Sequence, residues 1–181
     1  DGKDYVLAPN GYNSSTGSAS LFILPVRSGI SSWSGNYYRL QAQAGPDNGL
    51  SAITPYDMDG NGTIDLVYAG DLKGQVWKFD LSGSTPSSWK VGIGGAPLFQ
   101  AYGPNGKPQP VVAAPVVATH PANGASSPTA DKTGLMVYVG TGRYLASCDK
   151  AGGSCSGEDT TDSIYGLWDY GGQICSRLEL L

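Results

Sequence analysis

Short apolar, β-rich runs recur along the chain, separated by polar turns rich in glycine. Runs of this length and composition, bounded by Gly, Pro, Asn and Ser, predict strands. They fall at 4–9 (DYVLAP), 19–26 (ASLFILPV), 37–43 (YYRLQAQ), 50–57 (LSAITPYD), 65–71 (DLVYAGD), 75–81 (QVWKFDL), 97–102 (PLFQAY), 109–120 (QPVVAAPVVATH), 135–142 (LMVYVGTG) and 163–170 (SIYGLWDY). Three of the pairs share one grammar of strand, glycine turn, strand. Their first strands begin near residues 5, 66 and 136, a spacing of roughly 60–70. The other runs fill the gaps, giving about four short strands per unit. Four-stranded antiparallel repeats are the mark of β-propeller blades, with the period lengthened here by loop insertions. The expected fold is all-β: one domain over 1–181, a partial, about three-blade fragment of a modified β-propeller. The blades are placed at about 3–43, 50–103 and 109–181. A closed ring takes roughly four to eight blades, so this is an arc. A sandwich with irregular loops is the competing architecture.

Composition agrees with short strands and many turns. Gly (27) and Pro (12) are abundant, and Tyr (11) and Trp (4) favour strands. At 181 residues and 40 % apolar content, the chain is long and greasy enough for a sizeable core. Charged residues are only 14 %, and the net charge is −4 with no block of Lys or Arg. The electrostatic footprint of nucleic-acid binding is missing. No apolar run nears the ~18 residues that span a bilayer as a helix. The chain opens on Asp1 rather than Met and closes on ELL, which reads as a piece of something longer. Of the three cysteines, Cys148 and Cys155 bracket a short Gly/Ser loop and are candidates for a disulfide, which would point to an oxidising compartment. Three separate thiols is the alternative, and Cys175 is left over.

Against this low charge, residues 57–65 (DMDGNGTID) stand out. They join two predicted strands. Calcium is held by six or more oxygens, several of them carboxylates. Asp57, Asp59 and Asn61 sit at positions one, three and five, where side chains converge if the backbone curls. Gly60 and Gly62 permit that curl. Thr63 at position seven offers a backbone carbonyl, and Asp65 at position nine closes the cage. The arrangement matches the first part of an EF-hand loop. It departs in having Gly at positions four and six, Tyr68 where the bidentate Glu belongs, and strands as flanks. The expected cofactor is Ca2+, bound with roughly micromolar to sub-millimolar affinity, and magnesium fits less well because it keeps its waters. The plainer reading is an acidic Asx-rich turn.

The motifs carry further. GYNSSTGSASLFIL, NGLSAITPYDMDGNGTIDLVYAGDLKGQVWKFDL, QPVVAAPVVATHP, VYVGTGRYL and YGLWD occur in that order, and the run from Asn48 to Leu81 is the most specific. This resembles the C-terminal propeller domain of the PilY/PilC family of type IV pilus tip-associated proteins. The resemblance implies a non-enzymatic, secreted protein at the pilus tip and cell surface, passing through periplasm or outer membrane during assembly. It implies minor pilins and the pilus assembly machinery as partners, with a host or abiotic surface as a further one. Its implied roles are pilus biogenesis, the balance of extension and retraction, twitching motility and adhesion. The family's calcium loop falls on Asp57, Asp59, Asn61, Thr63 and Asp65. The Arg-Gly-Asp tripeptide of some relatives is absent, since residues 69–71 read Ala-Gly-Asp. Integrin binding is therefore not carried over.

Three other classes share parts of this pattern. Quinoprotein dehydrogenases are calcium-containing propellers with blades similar to VYAGDLKGQVWKFD, but their site needs a full ring. Catalytic groups are also thin: His120 is the single histidine, expected as a surface residue in a loop. Asp149, Glu158, Asp159 and Asp162 read as a solvated insertion. Integrin-α-like propellers, as protein- or glycan-binding modules, carry calcium loops in several successive blades, whereas one is found here. A lectin would use exposed aromatics, but Trp77 and Trp168 sit mid-strand and are expected in the core.

Overall fold

The fold is a computed structural model that describes residues 3–12, 14–29, 32–120, 133–150 and 161–174. Eleven strands are found among them: β1 (Tyr5–Pro9), β2 (Ala19–Pro25), β3 (Tyr38–Gln43), β4 (Leu50–Tyr56), β5 (Leu66–Asp71), β6 (Gln75–Asp80), β7 (Lys90–Val91), β8 (Phe99–Gln100), β9 (Val116–Thr119), β10 (Leu135–Gly140) and β11 (Ile164–Asp169). They form three antiparallel sheets in chain order: β1-β2-β3, then β4-β5-β6-β7 with β8 also on β6, then β9-β10-β11. The one described α-helical segment is the short turn Val26–Gly29. No described helix is long and apolar enough to cross a membrane.

Most strands lie within one or two residues of the predicted runs. Two do not. The run 109–120 becomes a strand only at Val116–Thr119, with Val111 making a single bridge to Gly142. Pro110 and Pro115 supply no N–H and interrupt the ladder. The run 97–102 shrinks to Phe99–Gln100. The two-residue β7 was not foreseen.

Burial orders the three sheets. Every residue of β5 is buried, and so are all but the first of β6. With side chains alternating across the sheet, Leu66, Tyr68 and Val76 join a core with Leu135, Val137 and Leu167 of the third sheet. Val67, Ala69, Trp77 and Phe79 join a second core with Ala19, Leu21 and Ile23 of the first sheet. The middle sheet is therefore a layer between two others. In contrast, β11 alternates strictly, with Tyr165, Leu167 and Asp169 buried and Ile164, Gly166 and Trp168 exposed.

Trp77 is in the core as expected. Trp168 is not: it is 38 % exposed on the open face of the third sheet. Its ring stacks on His120 with centroids 4.7 Å apart and lies 4.8 Å from Tyr170. A mid-strand position is buried only if its face is covered, and the core-facing positions of β11 are the odd-numbered ones.

Buried polar groups join the layers. Asp71, at the end of β5, is fully buried. One of its oxygens accepts from Asn48 Nδ2 (2.9 Å) and Trp77 Nε1 (2.8 Å). The other accepts from the backbone N–H of Lys73 (2.9 Å) and Gln75 (2.8 Å). Burial pushes its carboxyl pKa up, and these four donors oppose that push. The Asp71 carbonyl accepts from Val111 N (2.9 Å), which hands the chain to the third sheet. A side chain on Gly70 would collide with Val111 there, so only glycine allows that approach.

On the other side of that interface, Lys78 Nζ meets Asp169 Oδ2 at 2.8 Å with both side chains buried. The contact is an ion pair without hydrogen-bond alignment. The same oxygen accepts from Tyr68 Oη (2.7 Å) and Thr133 Oγ1 (3.1 Å). Burial, followed by the nearby Asp169 charge, raises the Tyr68 pKa, so this hydroxyl stays protonated as a donor.

Replacing Asp169 by Ala strands the Lys78 ammonium in the interior. Loss of one member of a buried pair costs about 3–5 kcal/mol. Urea unfolding of Asp169→Ala beside the unaltered chain should show a destabilisation of that order, and a loss below about 1 kcal/mol would mean the pair is solvated in solution.

Candidate metal site

The connection from β4 to β5 spans residues 57–65. Its base is closed by backbone bonds: Asp65 N–H donates to Tyr56 O (3.1 Å), and Leu81 N–H donates to Asp65 O (2.7 Å). Both strands that carry the loop belong to the middle sheet, so the loop joins a partly exposed β4 to the fully buried β5.

Within the loop each acidic or amide side chain folds back on the backbone. Asp57 Oδ1 accepts from Gly60 N (2.8 Å) and Oδ2 from Gly62 N (2.7 Å). Asp59 accepts from Asn61 N (3.1 Å) and Asn61 Nδ2 (2.9 Å). Asn61 Oδ1 accepts from Thr63 N (2.7 Å), and Asp65 Oδ2 from Met58 N (2.8 Å). These are successive Asx-type turns, the local chemistry that Asp and Asn bring to tight curls. Gly60 and Gly62 adopt φ of 75° and 85°, which only glycine takes readily.

The consequence is convergence. One carboxylate oxygen each from Asp57, Asp59 and Asp65 lies within 4.8 Å of the others. Oxygens bound to one calcium ion at 2.3–2.6 Å can be no more than roughly 5 Å apart. The donor set and its spread therefore fit a hard cation of that size. Among the five residues singled out in the sequence, these three are brought together. Asn61 and Thr63 lie on the exposed rim of the same loop. Asp65 is the buried member at 8 % exposure, and Asp59 is open to solvent.

The other sequence candidates are scattered. Cys148 is disulfide-bonded, whereas Cys155 and Cys175 lie outside the described residues, as do Glu158 and Asp159. Asp149 is not a solvated acid. It accepts from Arg143 Nε (3.0 Å), Leu145 N (2.7 Å) and Ala146 N (2.6 Å), and it fixes the turn after β10. The backbone donors, Ala146 first, hold its pKa down. Asp162 remains exposed.

One feature was not read from the sequence. A polar cavity of about 470 Å³ opens at the end of the middle sheet opposite the loop, lined by Ser14, Thr16, Asp47, Asn48 and Arg143 among others. No local signal marks it, because its walls come from the β1–β2 loop, the β3–β4 loop, the β5–β6 turn and the segment after β10.

The family described as the PilY1 beta-propeller domain matches residues 1–176. A type IV pilus biogenesis factor PilY1 homolog of Xylella fastidiosa is 35 % identical over 181 residues, covering 91 % of this chain and 11 % of that protein. The type IV pilus biogenesis factor PilY1 of Pseudomonas aeruginosa UCBPP-PA14 is 32 % identical, with 91 % and 14 % covered. The crystal structure of the Pseudomonas aeruginosa PilY1 C-terminal domain superposes with a TM-score of 0.72 at 31 % identity. That match covers 93 % of this chain and 34 % of the solved one. The chain thus spans a small share of its full-length relatives.

Asp57 supplies a pH test of the loop. Its pKa is lowered from the ordinary 3.8, first by the Gly62 N–H and then, against some desolvation, by those of Gly60 and Asn61. A depressed carboxyl stabilises the fold above its ordinary value and loses that contribution as pH falls through the lowered one. In calcium-free protein, the Asp57 carboxyl carbon should titrate by NMR with a midpoint below 3.8. A midpoint above it would mean that the backbone donors are not engaged.

Proposed function

Because the chain belongs to the PilY1 beta-propeller domain family, we propose that it is a calcium-stabilised arc of a propeller acting in type IV pilus biogenesis. The observation that carries the metal part is the convergence of Asp57, Asp59 and Asp65 oxygens within 4.8 Å, in a glycine-curled loop. In this reading Asn61 Oδ1 and the Thr63 carbonyl complete the protein ligands. The bound ion supplies charge neutralisation for three crowded carboxylates and a fixed strand connection.

The chain's part is structural and recognitive rather than enzymatic. Relatives named type IV pilus biogenesis factors support a role at the pilus and the cell surface. Minor pilins and assembly proteins are the proposed partners, and the ordered loop end of the middle sheet is the proposed point of regulation. Calcium loss would loosen that end and shift the balance from pilus extension toward retraction, with effects on twitching and adhesion.

The experiment is a calorimetric titration of calcium into metal-free protein, with melting followed in parallel. The expected result is one ion per chain. A hundredfold excess over Kd should raise stability by about 2.7 kcal/mol. Asp65→Ala should abolish binding. Asp59→Ala, which alters an exposed side chain and spares the buried base, should weaken it by at least about tenfold, since even outer-shell changes cost that much. Absence of binding by the unaltered chain would reduce DMDGNGTID to a turn. Binding that is lost in Asp65→Ala, with piliation and twitching unchanged when the variant replaces the native protein in cells, would refute the regulatory part.

A further inference from the structure

The metal loop contains two apolar residues, and each is set between proposed ligands or beside one. Met58 lies between Asp57 and Asp59, and Ile64 precedes Asp65. Both are partly buried, although the loop around them is largely exposed. Their side chains do not go to the same place. Met58 packs against the core that Leu66, Tyr68 and Val76 share with Leu135, Val137 and Leu167 of the third sheet. Ile64 packs against the other core, which Val67, Trp77 and Phe79 share with Ala19, Leu21 and Ile23 of the first sheet.

We propose that Met58 and Ile64 are pegs by which the metal loop grips both faces of the middle sheet, so that ion occupancy tightens both inter-sheet cores together. The inference rests on the calcium reading of the loop. Its physical basis is backbone continuity. Drawing Asp57 and Asp59 to one ion fixes the chain on both sides of Met58, whose own N–H already donates to Asp65 Oδ2 at 2.8 Å. Drawing Asp65 and the Thr63 carbonyl to the same ion fixes the chain on both sides of Ile64. Without the ion, mutual repulsion of three carboxylates spreads the loop and works against both pegs. Linkage makes the effect reciprocal: if the ion favours seated pegs, seated pegs favour the ion by the same factor.

The consequence reaches beyond a local clip. An ion at one end of the middle sheet alters the hold on sheets to either side, neither of which supplies a ligand. A purely local metal turn predicts no such reach.

Hydrogen exchange of the whole chain, with and without saturating calcium, separates the two. Amides of β2 on one side and of β10 and β11 on the other should slow by at least about fivefold when calcium is added. Met58→Ala should remove the slowing in β10 and β11 and leave it in β2. Ile64→Ala should do the reverse, and Met58→Leu should behave as the unaltered chain. Calorimetry on the same samples should show each alanine variant binding calcium at least about fivefold more weakly. If the unaltered chain binds calcium but protection changes only within 56–66, the proposal is wrong and the calcium reading stands. If the unaltered chain binds no calcium, the reading fails and takes the proposal with it. Should an alanine variant not fold, the exchange comparison on the unaltered chain decides by itself.

Discussion

Burying both faces of β5 and β6 takes every polar group on them away from water, and each must then find a partner inside the protein. The strand ladders satisfy the backbone. What remains are the side chains that a two-sided core cannot avoid, chiefly Asp71, Lys78 and the Tyr68 hydroxyl. Each is answered by a group from another element: Asn48 and Trp77 for Asp71, Asp169 for Lys78 and Tyr68. The first and third sheets attach to this layer through apolar contact on its two faces. The metal loop is built on its lower hairpin connection, and the polar cavity opens at its other end. A weakened middle layer would release all of these at once.

How much of this was legible in the sequence depends on the range over which each feature is determined. DMDGNGTID was readable because its geometry is local. Each Asp or Asn side chain is answered by an N–H two to five residues away, Asp65 excepted, whose partner Met58 lies seven back. The hairpins were readable because turn glycines and β-rich runs mark them directly. Trp168 was misread because alternation says which residues share a face but not which face is covered. Asp149 was misread because polar composition suggested solvation, while its partners are a nearby arginine and two backbone amides that composition does not reveal. The run 109–120 was overextended because its valines outweighed two prolines whose missing donors decide the matter.

The pairing of Tyr68 with Asp169 spans 101 residues, and no pattern in either strand announces it. In a chain with so few charges, a lysine within QVWKFD and an aspartate within IYGLWD are both visible, but nothing local to either run pairs them. Only the packing of the third sheet on the second brings them face to face. Long-range polar pairs of this kind are the part of a β-protein that sequence conceals most effectively.

That pair also bears on which alignment the third sheet adopts. Asp169 and Trp168 are adjacent, and side chains flip faces with every residue. A slip of β11 by one position would carry the tryptophan into the interface, where an apolar surface could accommodate it, and would leave the lysine facing no counter-charge. On hydrophobic grounds alone the two alignments compete. The stranded ammonium, with a cost of several kcal/mol, removes the second from the contest. An alignment that keeps Asp169 opposite Lys78 avoids that cost.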